Sequence, residues 1–349
     1  TSRARYMKKL LQSLRLFRCL VLAGMFAGSA LADAVTQEPS PGETLSGLLA
    51  LARERNPDYA AVLREADAAV DRIVPAGALP DPKLRAELMD ITRGGMQNAT
   101  LLPGRAGSTR YTLMQDVPWF GKRDLRREIA ELEAAGATGR AMGTWNELAA
   151  RIKTTYAQMY FLAASERLDR EILDLMLRLE KVAQARYAGG LAAQQDVIRA
   201  QLEQTAMRNE LITVETERHH LHTRMNALLG RPSRALLASP ASLRPLPAPA
   251  RLDFAALEDR ARAKNPAIFA EESRVQTAEK SRELAYKDRY PDFTLGLAPN
   301  QFQSSVRQWD VMIEVNIPIQ QSSRRARERE AEAMLDVARS RRDAAANQV

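Results

Sequence analysis

Residues 52–57 read Ala-Arg-Glu-Arg-Asn-Pro, and residues 261–266 read Ala-Arg-Ala-Lys-Asn-Pro. Both stretches lie in longer segments, residues 45–88 and 254–297, which align without a gap at an offset of 209. Farther along, residues 117–118 correspond to residues 317–318, both ending in proline, at an offset of 200. Self-similarity at a fixed spacing indicates a repeated structural unit. The sequence therefore predicts a tandem repeat of helix, strand, loop, strand, long helix and returning helix.

The predicted strands alternate apolar and polar residues. We expect them at about residues 82–91, 109–118, 291–299 and 308–318, and in the last of them one face carries Trp309, Val311, Ile313, Val315 and Ile317. Each run has the roughly 9 to 11 residues that a tilted strand needs to cross a bilayer. A half-buried sheet of a soluble protein alternates in the same way. The alternation alone therefore leaves a membrane barrel and a soluble sheet open.

A long proline-free stretch separates Gly121 from Tyr187. At about 1.5 Å per residue, it allows one helix of up to about 100 Å. Apolar residues recur along it at spacings of three, four and seven, which are typical of a coiled-coil seam: Trp145, Leu148, Ile152, Met159, Leu162, Ile172, Leu175, Leu179 and Val182. Gly189 and Gly190 interrupt the pattern, and a second helix must return. We therefore predict a helical hairpin over about residues 121–229, with its turn far from the strands.

Three glycines lie in the first helix of this hairpin, at Gly136, Gly139 and Gly143. Each glycine weakens a helix interior by roughly 1 kcal/mol relative to alanine, unless it permits a close helix crossing. The sequence leaves both interpretations open.

The first 32 residues have the pattern of a cleavable signal peptide. Basic residues follow Met7, an apolar run extends over residues 19–26, and residues 30–32 are Ala-Leu-Ala. The apolar run is shorter than the roughly 20 residues of a membrane-spanning helix. We therefore expect export, a mature chain that begins near Asp33, and a linker over residues 33–43.

Charge and cysteine usage exclude two classes of protein. The net charge is +8, but residues 1–32 hold six Arg or Lys residues and no acid, so the remainder carries only about +2. A basic patch for nucleic acid is therefore not expected. The single cysteine, Cys19, lies in the predicted signal peptide, which leaves the mature chain without a disulfide. No catalytic motif and no cofactor-binding motif was found, and we predict neither a cofactor nor an enzyme.

The repeat divides the chain. The first copy covers residues 44–230, and residues 231–250, with prolines at positions 232, 240, 245, 247 and 249, form an extended connector. The second copy, residues 251–349, ends before a second hairpin would be complete. The interpretation is that the C-terminal part of the second repeat is missing and that the sequence is a fragment.

Three motifs resemble those of the TolC-like outer-membrane efflux proteins. Residues 186–197 read Arg-Tyr-Ala-Gly-Gly-Leu-Ala-Ala-Gln-Gln-Asp-Val and resemble the family's hairpin turn. Residues 225–232 read Met-Asn-Ala-Leu-Leu-Gly-Arg-Pro and resemble the end of its returning helix. Residues 117–123 read Val-Pro-Trp-Phe-Gly-Lys-Arg and resemble the strand-to-helix junction of the heavy-metal cation efflux branch. The resemblance covers the whole mature chain and includes the tandem repeat.

This resemblance implies a mainly α protein with membrane β-strands in the outer membrane of a Gram-negative bacterium. It implies a homotrimer in which each chain gives four strands to one twelve-stranded barrel and helices to a periplasmic α-helical barrel. The implied function is an exit duct for passive export, with metal cations as the first guess for cargo, and the partners are a periplasmic adaptor and an inner-membrane pump. The alternative hypothesis is a periplasmic coiled-coil adaptor or scaffold without membrane insertion.

The resemblance also indicates gate candidates at the hairpin turn. Asp196 would form an acidic ring in a trimer, although an acid near a helix N-terminus also stabilises the helix dipole. Arg186 and Tyr187 could join a closed tip, or could be a helix-terminal cation and a packing residue. Gly189 and Gly190 form the turn.

The histidines give a further, weaker candidate. His219 and His222 lie near one helical face and could bind a metal ion. No cysteine accompanies them, and a structural or solvated role on the helix explains them better. No metal site is therefore predicted.

Overall fold

The computed structural model describes residues 41–92, 101–103, 106–245, 247–248, 253–302 and 305–348. The predicted signal peptide and most of the linker lie outside these residues. The first half of the chain forms α1 (Leu45–Arg55), α2 (Pro57–Asp71), α3 (Ile73–Gly77), β1 (Lys83–Met89), β2 (Ser108–Val117), α4 (Lys122–Ala188) and α5 (Gln194–Leu228).

As far as its long helix, the second half follows the same order of elements, except that a single helix corresponds to α2 and α3. It forms α6 (Phe254–Lys264), α7 (Pro266–Lys287), β3 (Phe293–Phe302), β4 (Ser305–Val315) and α8 (Gln321–Asn347). Both β3 and β4 extend closer to their shared loop than the expected ranges 291–299 and 308–318. The reason is that pairing continues as far as Phe302 and Ser305. Within the described residues, no helix is both long enough and apolar enough to cross a membrane.

An Asn-Pro step starts a new helix in each half. The side chain of Asn56 accepts a hydrogen bond from the backbone N–H of Tyr59, and that of Asn265 accepts one from Ala267. Both asparagines have extended backbone, and each following proline occupies the first helical position, where no intrahelical N–H bond is lost. Asn56 and Asn265 are thus the N-caps of α2 and α7. The same chemistry thus starts the second helix of each half.

The four strands form one antiparallel sheet in the order β1-β2-β3-β4. Hairpin neighbours pair within each half, and β2 pairs with β3 across the two halves. In this central pairing, Val117 lies opposite Phe293, and Leu113 lies opposite Leu297. The outer edges of β1 and β4 have no strand beside them in the described structure.

The largest core lies at the base of the hairpin, defined here as residues 145–162 of α4 and 214–228 of α5. It joins α1, α2, α4, α5 and the turn after α5 through buried side chains: Leu48, Ala52, Tyr59, Leu148, Ile152, Tyr156, Met159, Leu221, Met225 and Leu229. Burying a large aliphatic side chain stabilises a fold by about 1.5–3 kcal/mol. The base therefore folds within one chain.

The distal half of the hairpin, residues 168–188 of α4 and 194–212 of α5, packs differently. The predicted seam residues Leu175, Leu179 and Val182 are each more than half exposed. The buried residues on the facing helix are Ala200 and Gln204. The inference that one seam runs along α4 is therefore wrong for its distal part within this chain, because a small and a polar residue occupy the contact instead.

The glycines of α4 do not share one role. A Cβ atom on Gly139 would lie 2.9 Å from Cδ1 of Phe269 and 3.2 Å from Cβ of Ala270, both on α7. Gly136 also faces α7, at Ser273 and Ala270. A Cβ on Gly143 would meet no atom within 4 Å. The close-crossing interpretation is thus correct for Gly136 and Gly139, which bring α7 of the second half against α4 of the first.

Candidate functional site

One face of the sheet carries a continuous row of exposed apolar side chains. The strand register aligns Leu84, Leu113, Leu297 and Val311 across all four strands. Each of these side chains is at least 45% exposed, and Val311 is 76% exposed. A second row pairs Leu295 with Ile313. An exposed apolar surface that crosses a whole sheet marks a contact with lipid or protein rather than with water.

The opposite face of the sheet carries polar side chains that bond to one another. Arg110 donates to Asn300 at 2.9 Å and lies 3.4 Å from Asp310, and Asn300 donates to Asp310 at 2.7 Å. Near the other end of the sheet, Asp116 accepts hydrogen bonds of 2.7 Å from Lys83 and Thr294. The sheet is therefore polar on one side and apolar on the other, with residues of both halves in the polar network.

A buried lysine lies where β2 passes into α4. The Lys122 side chain is 3% exposed, and its Nζ lies 3.0 Å from Asp292, 3.3 Å from Asp288 and 3.3 Å from the carbonyl of Tyr290. The ammonium group donates hydrogen bonds to Asp292 and to the Tyr290 carbonyl, and it forms an ion pair with Asp288. The Asp292 carboxylate also accepts the backbone N–H of Trp119 at 2.8 Å. We call these five residues the junction cluster, and it joins the first half of the chain to the second.

Aromatic stacking extends this cluster. The Trp119 ring stacks on Tyr290 at a centroid distance of 5.0 Å and an interplanar angle of 9°. It also lies 5.6 Å from the ring of Phe293, the first residue of β3. Between Trp119 and Lys122 the chain turns at Gly121, whose φ of 78° favours glycine. The predicted junction motif therefore has a physical basis, although sequence reasoning gave Lys122 no role.

The predicted gate residues surround the hairpin turn, which we call the tip (residues 186–197). Gly190 adopts a φ of 72°, its N–H bonds the carbonyl of Tyr187 at 3.0 Å, and the N–H of Leu191 bonds the carbonyl of Arg186 at 2.8 Å. These two bonds form a Schellman ending, which requires a left-handed residue at Gly190. Gly189 is the C-cap of α4, which ends at Ala188. The glycine pair thus stops α4 and reverses the chain.

The side chains at the tip are exposed. Asp196 lies in the first turn of α5, where a carboxylate stabilises the helix dipole. Arg186 lies in the last turn of α4, where a cation does the same. Both side chains, like that of Tyr187, face solvent. The structure places these residues together at one end of the molecule, and their roles in a gate stay predictions.

A carboxylate clasp joins the distal helices just below the tip. Glu180 on α4 accepts hydrogen bonds from Gln201 at 2.9 Å and from Gln204, both on α5. Gln184, one turn along α4, donates at 2.9 Å. The bond from Gln204 is the largest cause that lowers the pKa of Glu180, followed by the bond from Gln201. Sequence reasoning missed this clasp, since a single Glu among many carries no motif.

The histidines lie on α5 at the base of the hairpin. Burial, followed by the charges of Arg218 and His219, lowers the pKa of His222. His219 itself is exposed. Within the described part of the chain, no group of three or more His, Cys, Asp or Glu side chains is arranged to hold a metal ion.

Two buried asparagines close the hairpin. Asn226 is fully buried and donates to the carbonyls of Ser233 at 3.1 Å and Ala235 at 2.8 Å. Asn56 donates to the carbonyl of Leu228 at 2.9 Å. These bonds fasten the start of the connector and the Asn-Pro step to the end of α5. The bonds of Asn226 give the motif at residues 225–232 a structural role.

Comparison with known proteins gives a family match. A family model described as outer membrane efflux protein matches residues 48–231. This range includes both strands of the first half and the whole hairpin. No curated protein gives a significant match.

Solved structures share the fold. The outer membrane protein VceC of Vibrio cholerae superimposes with a TM-score of 0.69 at 18% identity, over 87% of this chain and 75% of its own. A membrane protein from Pseudomonas aeruginosa superimposes with a TM-score of 0.70 at 17% identity, over 87% of this chain and 74% of its own. The MtrE outer membrane channel of Neisseria gonorrhoeae was solved in its open state. It superimposes with a TM-score of 0.61 at 16% identity, over 88% of this chain and 71% of its own.

Proposed function

Because the chain belongs to the outer membrane efflux protein family, we propose that three copies of it form a passive exit duct through the outer membrane. Members of this family are outer-membrane channels that extend into the periplasm. This chain is therefore located in the outer membrane and extends into the periplasm. The alternative of a periplasmic adaptor without membrane insertion is overturned by this family assignment. The resemblance to heavy-metal efflux proteins adds metal cations as the proposed cargo.

The two-faced sheet is the observation that supports a duct. The row from Leu84 to Val311 presents apolar side chains to one side, as lipid requires, while Arg110 and Asp310 lie on the other side. Four strands leave two open edges, and unpaired backbone groups at an edge are costly in lipid. Closure with other copies removes the edges. Three copies would supply the twelve strands that the family resemblance implies.

In this proposal the long hairpin carries the duct into the periplasm. With α4 spanning 67 residues, it would extend about 100 Å from the strands. A periplasmic adaptor would contact the exposed distal half, and an inner-membrane pump would supply the energy. Asp196 remains our candidate for an acidic ring at the tip.

A pair of arginine substitutions tests membrane insertion. Val311→Arg places a charge on the apolar face, which costs about 2–4 kcal/mol near the middle of a bilayer. Gln308→Arg places the same charge on the polar face of the same strand. After envelope fractionation and electrophoresis without heating, we expect wild type and Gln308→Arg as outer-membrane trimers and a loss of trimer for Val311→Arg. Soluble periplasmic wild-type protein would overturn the proposal, and so would equal trimer yields of both variants.

The same trimers test the tip and the cargo. In planar bilayers, Asp196→Asn should lower the permeability ratio of cations to anions if the carboxylates form a ring. An unchanged ratio would remove Asp196 from the gate. Cells that lack the native duct should regain tolerance to metal cations with the wild-type gene, whereas tolerance to drugs alone would replace the proposed cargo.

A further inference from the structure

The outer edges of β1 and β4 indicate how neighbouring copies of the chain pair their strands. In the described structure, each of these strands has a neighbour on one side only. The strands run in opposite directions, so β4 of one copy can pair antiparallel with β1 of the next. This inference rests on the proposed function and goes beyond it, because a closed barrel does not by itself say which residues face each other.

The repeat supplies the missing register. Strand β4 is the counterpart of β2 at the offset of 200, and β1 is the counterpart of β3 at the offset of 209. Within the chain, Leu113 pairs with Leu297 and Gln115 pairs with Leu295. We propose that the seam between copies repeats this pairing, so that Ile313 lies opposite Leu88 of the second copy and Val315 lies opposite Ala86 of the second copy.

The side chains fit this register on the apolar face. The row Leu295 and Ile313 continues into Leu88 of the second copy, and the row Phe293 and Val315 continues into Ala86 and Tyr111 of that copy. These two rows therefore stay apolar as they cross the seam, whereas Val311 lies opposite Asp90 of the second copy, just beyond the end of β1. A slip of one residue would turn Arg85 and Glu87 toward the apolar side, and the alternation of the strands excludes it.

The polar face brings charged side chains of the two copies together. Within the described residues, Glu314 forms no ion pair, and it lies on the polar face of the edge strand β4. In the proposed register, it lies directly opposite Glu87 of the second copy, and like charges in that position repel each other. Arg85 of the second copy lies diagonal to Glu314, and its guanidinium already lies 3.6 Å from Glu87. It would thus offset part of the repulsion between the two carboxylates.

The end of the seam next to α8 differs from its counterpart within the chain, which is the junction cluster. The positions of Lys122 and Asp292 correspond by the same offsets to Ser322 and, on the second copy, Lys83. The positions of Trp119 and Tyr290 correspond to Ile319 and Asp81. Neither the buried ion pair nor the aromatic stack can therefore form there. The register between copies must depend on the paired strands themselves.

Cysteine pairs in the full-length chain test the register. Cys19→Ser removes the native cysteine, and four double variants combine Ile313→Cys or Val315→Cys with Leu88→Cys or Ala86→Cys. Directly opposite residues have Cβ atoms about 4.5–5.5 Å apart, whereas diagonal ones are about 7–8 Å apart, which is too far for a disulfide. After oxidation in outer membranes, boiled non-reducing gels would show covalent trimers.

The proposal expects the matched pairs, 313 with 88 and 315 with 86, to cross-link. Their yield should exceed that of the mismatched pairs, 313 with 86 and 315 with 88, by at least about fivefold because of the shorter Cβ separation. Equal or higher yields in a mismatched pair would overturn the register. Trimers in which none of the four cysteine pairs cross-links would overturn it as well. Electrophoresis without heating separates these results from a failure of the proposed function, in which wild type itself would form no trimer.

Discussion

The base and the distal half of the hairpin use the same two helices and are built differently. At the base, Ile152 and Met225 are fully buried against α1 and α2 of the same chain. In the distal half, Leu179 is 55% exposed, and the side chain buried between the helices is the polar Gln204, held by Glu180. Apolar residues recur at coiled-coil spacing in both regions.

This difference shows that a helical seam does not identify its partner. The base gains its stability within one chain, because α1 and α2 cover its apolar stripe. The distal stripe has no such cover in the described residues, which is the arrangement expected where other protein chains complete the packing. The base is therefore packed within one chain, and we expect the distal half to contact other chains.

The largest expected effect is the loss of a core side chain at the base. Ile152→Ala should lower the free energy of unfolding by about 2–5 kcal/mol, because it removes a fully buried side chain and leaves a cavity. The matched change Leu179→Ala should alter it by less than about 0.5 kcal/mol. Urea unfolding of the detergent-solubilised chain, followed by circular dichroism, measures both. Equal losses would refute the distinction between the two regions.

A pair of glycine substitutions sharpens the comparison, because it separates packing from position along α4. Gly139→Ala should destabilise the fold by about 1–3 kcal/mol, since the added methyl meets Phe269 and Ala270. Gly143→Ala, one turn farther along, should stabilise it by about 0.5–1 kcal/mol, because the new Cβ meets open space. The same urea titration decides, and a common sign for the two changes would contradict the observed helix crossing.

The smallest expected effect concerns the clasp in the distal half. Hydrogen bonds from Gln204 and Gln201 lower the pKa of Glu180 below its ordinary value. Its ionised form therefore adds stability above the unfolded-state pKa, and this contribution disappears as the pH falls through the lower pKa of the folded state. Glu180→Gln should consequently unfold at a slightly lower urea concentration than wild type at pH 7. This difference in the unfolding midpoint should vanish in acid.

An exposed acid on the facing helix provides the control. Glu203→Gln should show no such dependence, because Glu203 is exposed on α5. If the difference between Glu180→Gln and wild type stayed constant between neutral and acidic pH, the clasp would not depend on the ionised carboxylate.

Local pattern was enough to predict the elements of the fold. The proline-free run predicts α4, the glycine pair predicts the turn after it, and alternation indicates the strands. Each of these signals is carried by neighbouring residues, and neighbouring residues determine dihedral angles and periodicity. The Schellman ending at Gly190 is an example, because a left-handed position favours glycine whatever lies around it.

Long-range contacts could not be predicted in the same way. Lys122 lies in a basic run with Arg123, Arg126 and Arg127, and nothing in the local sequence tells which of the four cations is buried. Its partners Asp288 and Asp292 lie in the other half of the chain. The exposure of Leu179 could not be predicted either. The spacing of apolar residues along a helix is the same whether the surface that covers them belongs to the same chain or to another one.

Strand β2 is synthesised long before its partner. Asp116 and Thr294, which are hydrogen-bonded across the central pairing, are 178 residues apart in the chain. At ~5–20 residues per second, ribosomal synthesis of that interval takes ~9–36 s. Throughout it, the β1-β2 hairpin presents its apolar face without β3 and resembles the strands that nucleate aggregates. The order of the two halves in the gene therefore sets a minimum time during which the apolar face of β1-β2 lacks its central partner strand.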